Sequence, residues 1–291
     1  MSADVTVSTD WQLDGRVCLL TGATGGIGSA TAFVLASLGA ELVLVGRSER
    51  KLRTLRREVL RATPGARVLG IAADLSSQAD VRRLARRVLD EVPRLDTLVN
   101  NAAVVTNRRE ETADGLERQL AVNHLAPFLL TNLLLERLEA NAPARVVMVA
   151  SQVERDGAID FTDLQGRHAY DRWRAYRQSK LANILFAREL GRRVAGRGIT
   201  PISLHPGVYS TRLLDALMGW SPLVTRLRGR PVPGPEAAAL VLTRAVAAPD
   251  LTGSEAIHLH EHHIAEPSAR ARDPELARQI WDVSARLTHL A

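Results

Sequence analysis

The sequence predicts a single α/β domain, a doubly wound Rossmann fold in which a seven-stranded parallel sheet is flanked by helices. Three observations carry that expectation. Short β-branched or leucine-rich runs alternate with longer amphipathic stretches from residue 16 to residue 207, as in repeated βαβ units around a buried parallel sheet. A glycine-rich turn joins the first run to the first helix. No repeat or low-complexity linker offers a place to divide the 291 residues, so residues 15–291 are expected to form one domain after an N-terminal extension, 1–14.

The expected strands are RVCLLT (16–21), AELVLVG (40–46), ARVLGIAAD (66–74), LDTLVNNAA (95–103), ARVVMVAS (144–151) and ITPISLHPG (199–207), with AIHLH (256–260) as a weaker seventh. Helices fill the gaps, among them SERKLRTLRREVLRA (48–62) and SSQADVRRLARRVLDEV (76–92). Segments 152–172 and 208–233 are the least regular.

Composition limits the function. The net charge of +6 raises the question of nucleic acid, but the arginines are scattered in pairs along amphipathic stretches, the pattern of solvated helix faces. No nucleic-acid partner is expected. The single cysteine, Cys18, lies in an apolar run and has no partner for an intrachain disulfide, which fits a reducing compartment. The first fourteen residues lack the features of a signal peptide, and no run reaches the roughly 18 apolar residues of a membrane span. A cytoplasmic protein without membrane insertion is expected, with homo-oligomerisation left open.

The chemistry begins at TGATGGIGSATAFVLASLGA, where Gly22, Gly26 and Gly28 follow a strand and open a helix. Glycines there let the backbone approach a pyrophosphate, and the helix N-terminus supplies free N–H groups. About twenty residues on, where an NAD-binding fold usually places an acid on the ribose, this chain has Arg47. A guanidinium binds a 2′-phosphate and a carboxylate repels it, so NADP(H) is the expected cofactor. Thr24 adds no second positive charge to the turn.

Further along stand NNAA (100–103), AVNHL with Asn123, Ser151 after the fifth strand, and Tyr176 four residues before Lys180. Lysine is rare in this chain, occurring only at 51 and 180, and a compact ammonium one helical turn from a phenol favours the phenolate. With these motifs in order, the sequence resembles the short-chain dehydrogenase/reductase family over nearly its whole length. The resemblance implies an oxidoreductase that interconverts a carbonyl and its alcohol by hydride transfer, with Tyr176 as acid/base, Ser151 holding the substrate oxygen, Lys180 on the nicotinamide ribose and Asn123 anchoring a water. It further implies that Asp74 and Asn100 lie near the adenosine half, that Thr211 binds the nicotinamide carboxamide, and that Ile27, Leu75, Ala102, Pro206, Gly207 and Val208 complete the cofactor surface.

This chain departs from the family pattern in three places. Ala103 stands where glycine is usual, Ala150 where a second serine is common, and 25 residues separate Ser151 from Tyr176. The intervening FTDLQGRHAYDRWRAY and the C-terminal PSARARDPELARQIWDVSARL resemble the retinol dehydrogenase-like branch, although the N-terminal hydrophobic anchor of its membrane-bound enzymes is not apparent. Residues 208–233, with Tyr209, Leu213, Leu214, Leu217, Met218 and Trp220, read as a flap, joined by Phe161, Tyr170 and Trp173, over a bulky, largely apolar substrate. HLHEHH (258–263) has histidines at strand spacing, but the family reaction needs no metal, so none is expected. Two rivals remain: a catalytically silent nucleotide sensor or interaction protein on the same fold, and the epimerase or dehydratase branch.

Overall fold

Alternation along the first strand sets the two layers of the core. In β1 (Val17–Thr21), Val17 and Leu19 enter one buried cluster and Cys18 and Leu20 enter another on the opposite side, because successive side chains of a strand point to opposite faces. The computed structural model describes residues 11–209, 213, 215–216, 233–253 and 255–290. Its further strands are β2 (Glu41–Gly46), β3 (Val68–Ala72), β4 (Thr97–Asn100), β5 (Ala144–Val149), β6 (Ile199–His205), β7 (Ile257–His260) and β8 (His263–Ile264). They form one sheet in the order β3-β2-β1-β4-β5-β6-β7-β8. The strand order reverses between β1 and β4, and in open α/β sheets the crevice at that point takes the ligand.

All seven expected strands are present and parallel. The count of seven needs one correction, because β8 adds an eighth, antiparallel strand. It arises where Glu261 adopts a left-handed φ of 53° and turns the chain back, pairing His260 with His263. A two-residue strand is too short to show a period in the sequence.

Helices α1 (Gly26–Ser37) and α2 (Glu49–Ala62) pack on one face of the sheet, and α3 (Gln78–Glu91) packs on the other. Ser48 and Ser77 cap α2 and α3 by accepting hydrogen bonds from Lys51 N and Asp80 N. Leu52, Leu55 and Val59 turn inward along α2, which leaves its arginines on the solvated face. Next come a short helix α4 (Arg118–Leu120), a π-turn (Ala121–Leu125) and α5 (Ala126–Ala140). The long α6 (Arg172–Arg193) joins α3 and α5 on their face, and α7 (Pro235–Ala247) joins α1 and α2. The last helix, α8 (Pro274–Leu287), docks on α6, with Trp281 stacked on Phe186 at 5.5 Å between ring centroids.

Trp11 and Leu13 lie within the expected N-terminal extension, yet both are buried in the α1/α2/α7 layer. Cys18 is fully buried, and that burial pushes its thiol up to about 12, so it is inert packing.

Three buried histidines couple the fold to pH. Burial, first of all, pushes His124, His205 and His258 down to about 4, with neighbouring imidazoles adding to the effect at His205 and His258. Because the unfolded chain binds protons at these sites near pH 6.5, stability is full above that pH and falls as pH drops toward 4, by at most about 4 kcal/mol per pH unit if all three contribute. Urea unfolding between pH 7.5 and 4.5 should show the midpoint falling, and His124→Gln should flatten the slope. A midpoint that does not move over that range would contradict the assignment.

Candidate active site

The C-terminal ends of β1, β2 and β4 build a cradle. Gly22 has φ +66°, and a Cβ there would lie 2.8 Å from Ala102 Cα. A Cβ on Gly28 would lie 2.3 Å from Gly22 O, so the turn and α1 approach each other as closely as glycine permits. No side chain caps the start of α1, where Gly26 and Ile27 lead the helix and Gly25 and Gly26 are exposed. A cradle filled by any Cβ, beside a helix N-terminus with uncapped N–H groups, fits a pyrophosphate.

Thr24 lies over the end of β2, with its Oγ1 3.1 Å from where a Cβ on Gly46 would sit. Arg47 follows, exposed. Asp74, beyond β3, is near enough to feel its charge. Burial pushes the Asp74 carboxyl up, but hydrogen bonds from Ser76 N and Oγ, at 3.0 and 2.8 Å, and the Arg47 cation hold it below its usual range. Leu75 is buried beside it. Thr24, Arg47 and Asp74 thus gather on the β1–β3 side of the crevice.

At the end of β4, the two asparagines separate. Asn100 turns into the core, donating to Thr131 Oγ1 at 3.1 Å and lying 3.3 Å from Met148 Sδ. Asn101, not singled out in the sequence, donates from Nδ2 to Thr21 O at 2.9 Å and so holds the glycine turn. Thr21 Oγ1 accepts from both Asn101 N and Ala102 N. Two adjacent asparagines on a strand must face opposite ways, and nothing local says which of them faces the turn.

Asn123 sits in the π-turn, where Ala126 N reaches back five residues to Ala121 O. Widened turns of this kind are frequent at functional sites. Its amide accepts from Val104 N at 2.8 Å and donates to Val104 O at 3.0 Å and Ser179 Oγ at 3.2 Å. The side chain therefore fixes the segment after β4 to the residue preceding Lys180.

Ser151 follows β5 and caps a 3₁₀ turn (Gln152–Asp156), its Oγ 3.5 Å from Val153 N. Tyr176 and Lys180 project from α6 toward the same strand end. Both are buried, and Lys180 Nζ donates to Val149 O at 2.9 Å while lying 5.5 Å from the centroid of the Tyr176 ring. Burial pushes the phenol well above its ordinary range and the ammonium down to about 8. At neutral pH the pair is thus a protonated phenol beside a cation.

Beyond β6, Pro206 is buried and Gly207 has φ +103°. A Cβ on Gly207 would lie 2.7 Å from the Tyr209 ring, which folds back over it, while Val208 is half exposed. Thr211, Leu214, Leu217, Met218 and Trp220, with most of the expected flap, lie outside the described residues. The extension before Tyr176 differs from an apolar flap: Tyr170 turns its hydroxyl into a polar cluster with Thr106 and Gln119, and the Arg177 guanidinium lies 5.6 Å over the Trp173 ring. Only Phe161 is an exposed apolar ring there.

Ser203 and His205 on β6 pair in register with His258 and His260 on β7. Ser203 Oγ is 2.9 Å from His258 Nδ1, and the His205 and His260 rings are 5.0 Å apart. Among the described residues, no group of three His, Cys, Asp or Glu side chains is placed to hold a metal ion. Nor is any described helix long and apolar enough to cross a membrane.

The family model for short chain dehydrogenases matches residues 16–221, which include the cradle, Asn123, Ser151, Tyr176 and Lys180. The chain belongs to the short-chain dehydrogenase family. Proteins of this family are oxidoreductases acting on CH–OH groups with NAD(P). This short-chain dehydrogenase is 39% identical to human (Homo sapiens) retinol dehydrogenase 11 over 292 residues, covering 100% of this chain and 91% of that protein. It is 42% identical to polyprenol dehydrogenase of Mus musculus over 282 residues, covering 94% and 84%. Among solved structures, a Mycobacterium paratuberculosis protein is similar with a TM-score of 0.77, 33% identity and coverage of 96% and 95%. The RhlG/NADP active-site complex of Pseudomonas aeruginosa is similar with a TM-score of 0.69, 26% identity and coverage of 88% and 98%.

Proposed function

We propose that this short-chain dehydrogenase reduces bulky, largely apolar aldehydes or ketones with NADPH, or oxidises the corresponding alcohols with NADP. The observation that carries the reading is the buried Tyr176–Lys180 pair at the end of β5, two strands over from β1 and its glycine turn. A nicotinamide cofactor, when bound, supplies or accepts the hydride. Ser151 Oγ holds the carbonyl oxygen, and the Tyr176 phenol gives that oxygen its proton. Burial keeps the phenol neutral, the form that donates, which suits reduction near neutral pH. Lys180 stabilises the phenolate left behind and would hold the nicotinamide ribose when the cofactor is bound.

NADP(H) is favoured over NAD(H) because Arg47 follows β2 where an acid would otherwise meet the ribose. The RhlG neighbour was solved with NADP, which is consistent with that choice. Relatives named for retinol and polyprenol, both apolar alcohols, support the substrate class.

Titration of both cofactors tests the first half. The wild type should bind NADPH at least about tenfold more tightly than NADH, the worth of one charge-assisted pair, and Arg47→Asp should reverse the order. Equal wild-type affinities would refute the assignment. NADPH oxidation with matched panels of large apolar and small polar carbonyls tests the second half, and a consistent preference for the small polar panel would overturn it.

A further inference from the structure

We propose that the Tyr170 hydroxyl is a positioning group that latches the segment after β4 to the segment entering α6, making one fixed wall of the substrate pocket that selects among carbonyl substrates. This proposal rests on the function proposed above. The hydroxyl lies 2.7 Å from Thr106 Oγ1 and accepts from Gln119 Nε2 at 2.7 Å, with Glu117 Oε1 3.4 Å away. One bond repeats the connection beside it, and another ties in α4. Arg172 Nη1 donates to Asn107 Oδ1 at 2.8 Å, and Gln119 Nε2 also reaches Arg172 O at 3.3 Å.

The 104–107 segment is thus gripped at both ends, Val104 by Asn123 and Thr106 and Asn107 by Tyr170 and Arg172. Both grips meet in one short stretch. Glu117 caps α4 by accepting from Gln119 N and Leu120 N, and α4 runs straight into the π-turn that carries Asn123. On the other side, Tyr170 stands six residues before Tyr176, at the mouth of α6. Moving the hydroxyl's partners therefore moves the wall relative to the phenol that delivers the proton.

Ring packing alone does not need this oxygen. The Tyr170 ring is seated by its own turn, with Cδ2 3.0 Å from where a Cβ on Gly166 would sit, and a phenylalanine would fill the same place. What phenylalanine lacks is the junction among Thr106, Gln119 and Glu117, three groups from two other segments of the chain. Glu117 and Gln119 are both buried, so losing the shared hydroxyl leaves Gln119 Nε2 only its longer contact to Arg172 O and removes one neighbour of the Glu117 carboxylate.

The test compares wild type, Tyr170→Phe, Thr106→Val, Thr106→Ser and the Tyr170→Phe/Thr106→Val double variant. Three readouts are used: kcat and KM on bulky and small carbonyls, NADPH Kd, and amide hydrogen exchange of the 104–107 segment. For Tyr170→Phe and Thr106→Val, exchange of that segment should accelerate about tenfold and the ratio of kcat/KM between bulky and small substrates should shift by about fivefold or more, the scale of one lost hydrogen bond. NADPH Kd should stay within about twofold. Thr106→Ser should behave as wild type, and the double variant should be no worse than the poorer single one, because both remove the same bond. Equal losses on every carbonyl in step with a fall in Tm, or unchanged exchange at 104–107, would overturn the proposal. A wild type that turns over no carbonyl refutes the proposed function, and with it the selecting role of the wall. In every other case, the exchange and substrate-ratio results decide the latch, with Thr106→Val replacing Tyr170→Phe if the latter does not fold.

Discussion

Tyr176→Phe should lower turnover by about three powers of ten and leave NADPH affinity almost unchanged, since the phenol ring keeps its place and only the proton donor is lost. The ring is buried and packed, so phenylalanine restores its volume. Lys180→Arg should be nearly as damaging even though it keeps the charge. Lys180 Nζ sits in a fully buried slot 2.9 Å from Val149 O, and a planar guanidinium is too wide to enter it. The wild-type reduction rate should also fall above about pH 8, as the lysine that burial holds near that value loses its proton. Stopped-flow and steady-state rates on one identified substrate would check all three results. Near-normal turnover by Tyr176→Phe would exclude the phenol as the acid and point to another proton donor.

Gly28→Ala should weaken NADPH binding by about a hundredfold, because its methyl would lie 2.3 Å from Gly22 O and 3.0 Å from Asn101 Nδ2. Neither neighbour yields easily. Gly22 already has φ +66° against Ala102, and Asn101 is held by its bond to Thr21 O. The methyl must push the turn off the helix N-terminus, at a stability cost of about 1–3 kcal/mol as for other overpacked sites. Gly65→Ala is the control. Gly65 also has a positive φ, +88°, but a Cβ there would meet nothing within 4 Å, so it should cost some stability and leave cofactor binding intact. Fluorescence titration of NADPH separates the two; a Gly28→Ala protein that binds as tightly as wild type would mean that the cradle does not seat the pyrophosphate.

The seven parallel strands and the site's main motifs are legible because their signals are local. A buried strand is a short apolar run, a phosphate cradle is glycine between strand and helix, and a tyrosine four residues from a lysine falls on one helix face. Asn101 was missed because a pair of adjacent asparagines carries no mark of its facing, which depends on Thr21 across the strand gap. The partners of the Tyr170 hydroxyl are hidden for a related reason. Its ring counts as apolar in any sequence reading, but its hydroxyl finds Thr106 and Gln119, 64 and 51 residues away. The strand β8 and the burial of Trp11 and Leu13 were equally invisible, since a two-residue strand has no period and an isolated apolar pair has no address until the layer it fills exists.

By itself the sequence determined which residue types follow which strand, and therefore the fold class, the glycine turn, the arginine after β2 and the tyrosine–lysine pair. Those features depend on spacing within one or two turns of backbone. The tertiary structure alone decided how the side chains are shared across the sheet: that Asn123 grips Val104, that Lys180 is sealed against Val149, and that burial pushes the Tyr176 phenol above its ordinary range. Burial and long-range hydrogen bonds belong to pairs of segments brought together by packing, so no single stretch of sequence encodes them.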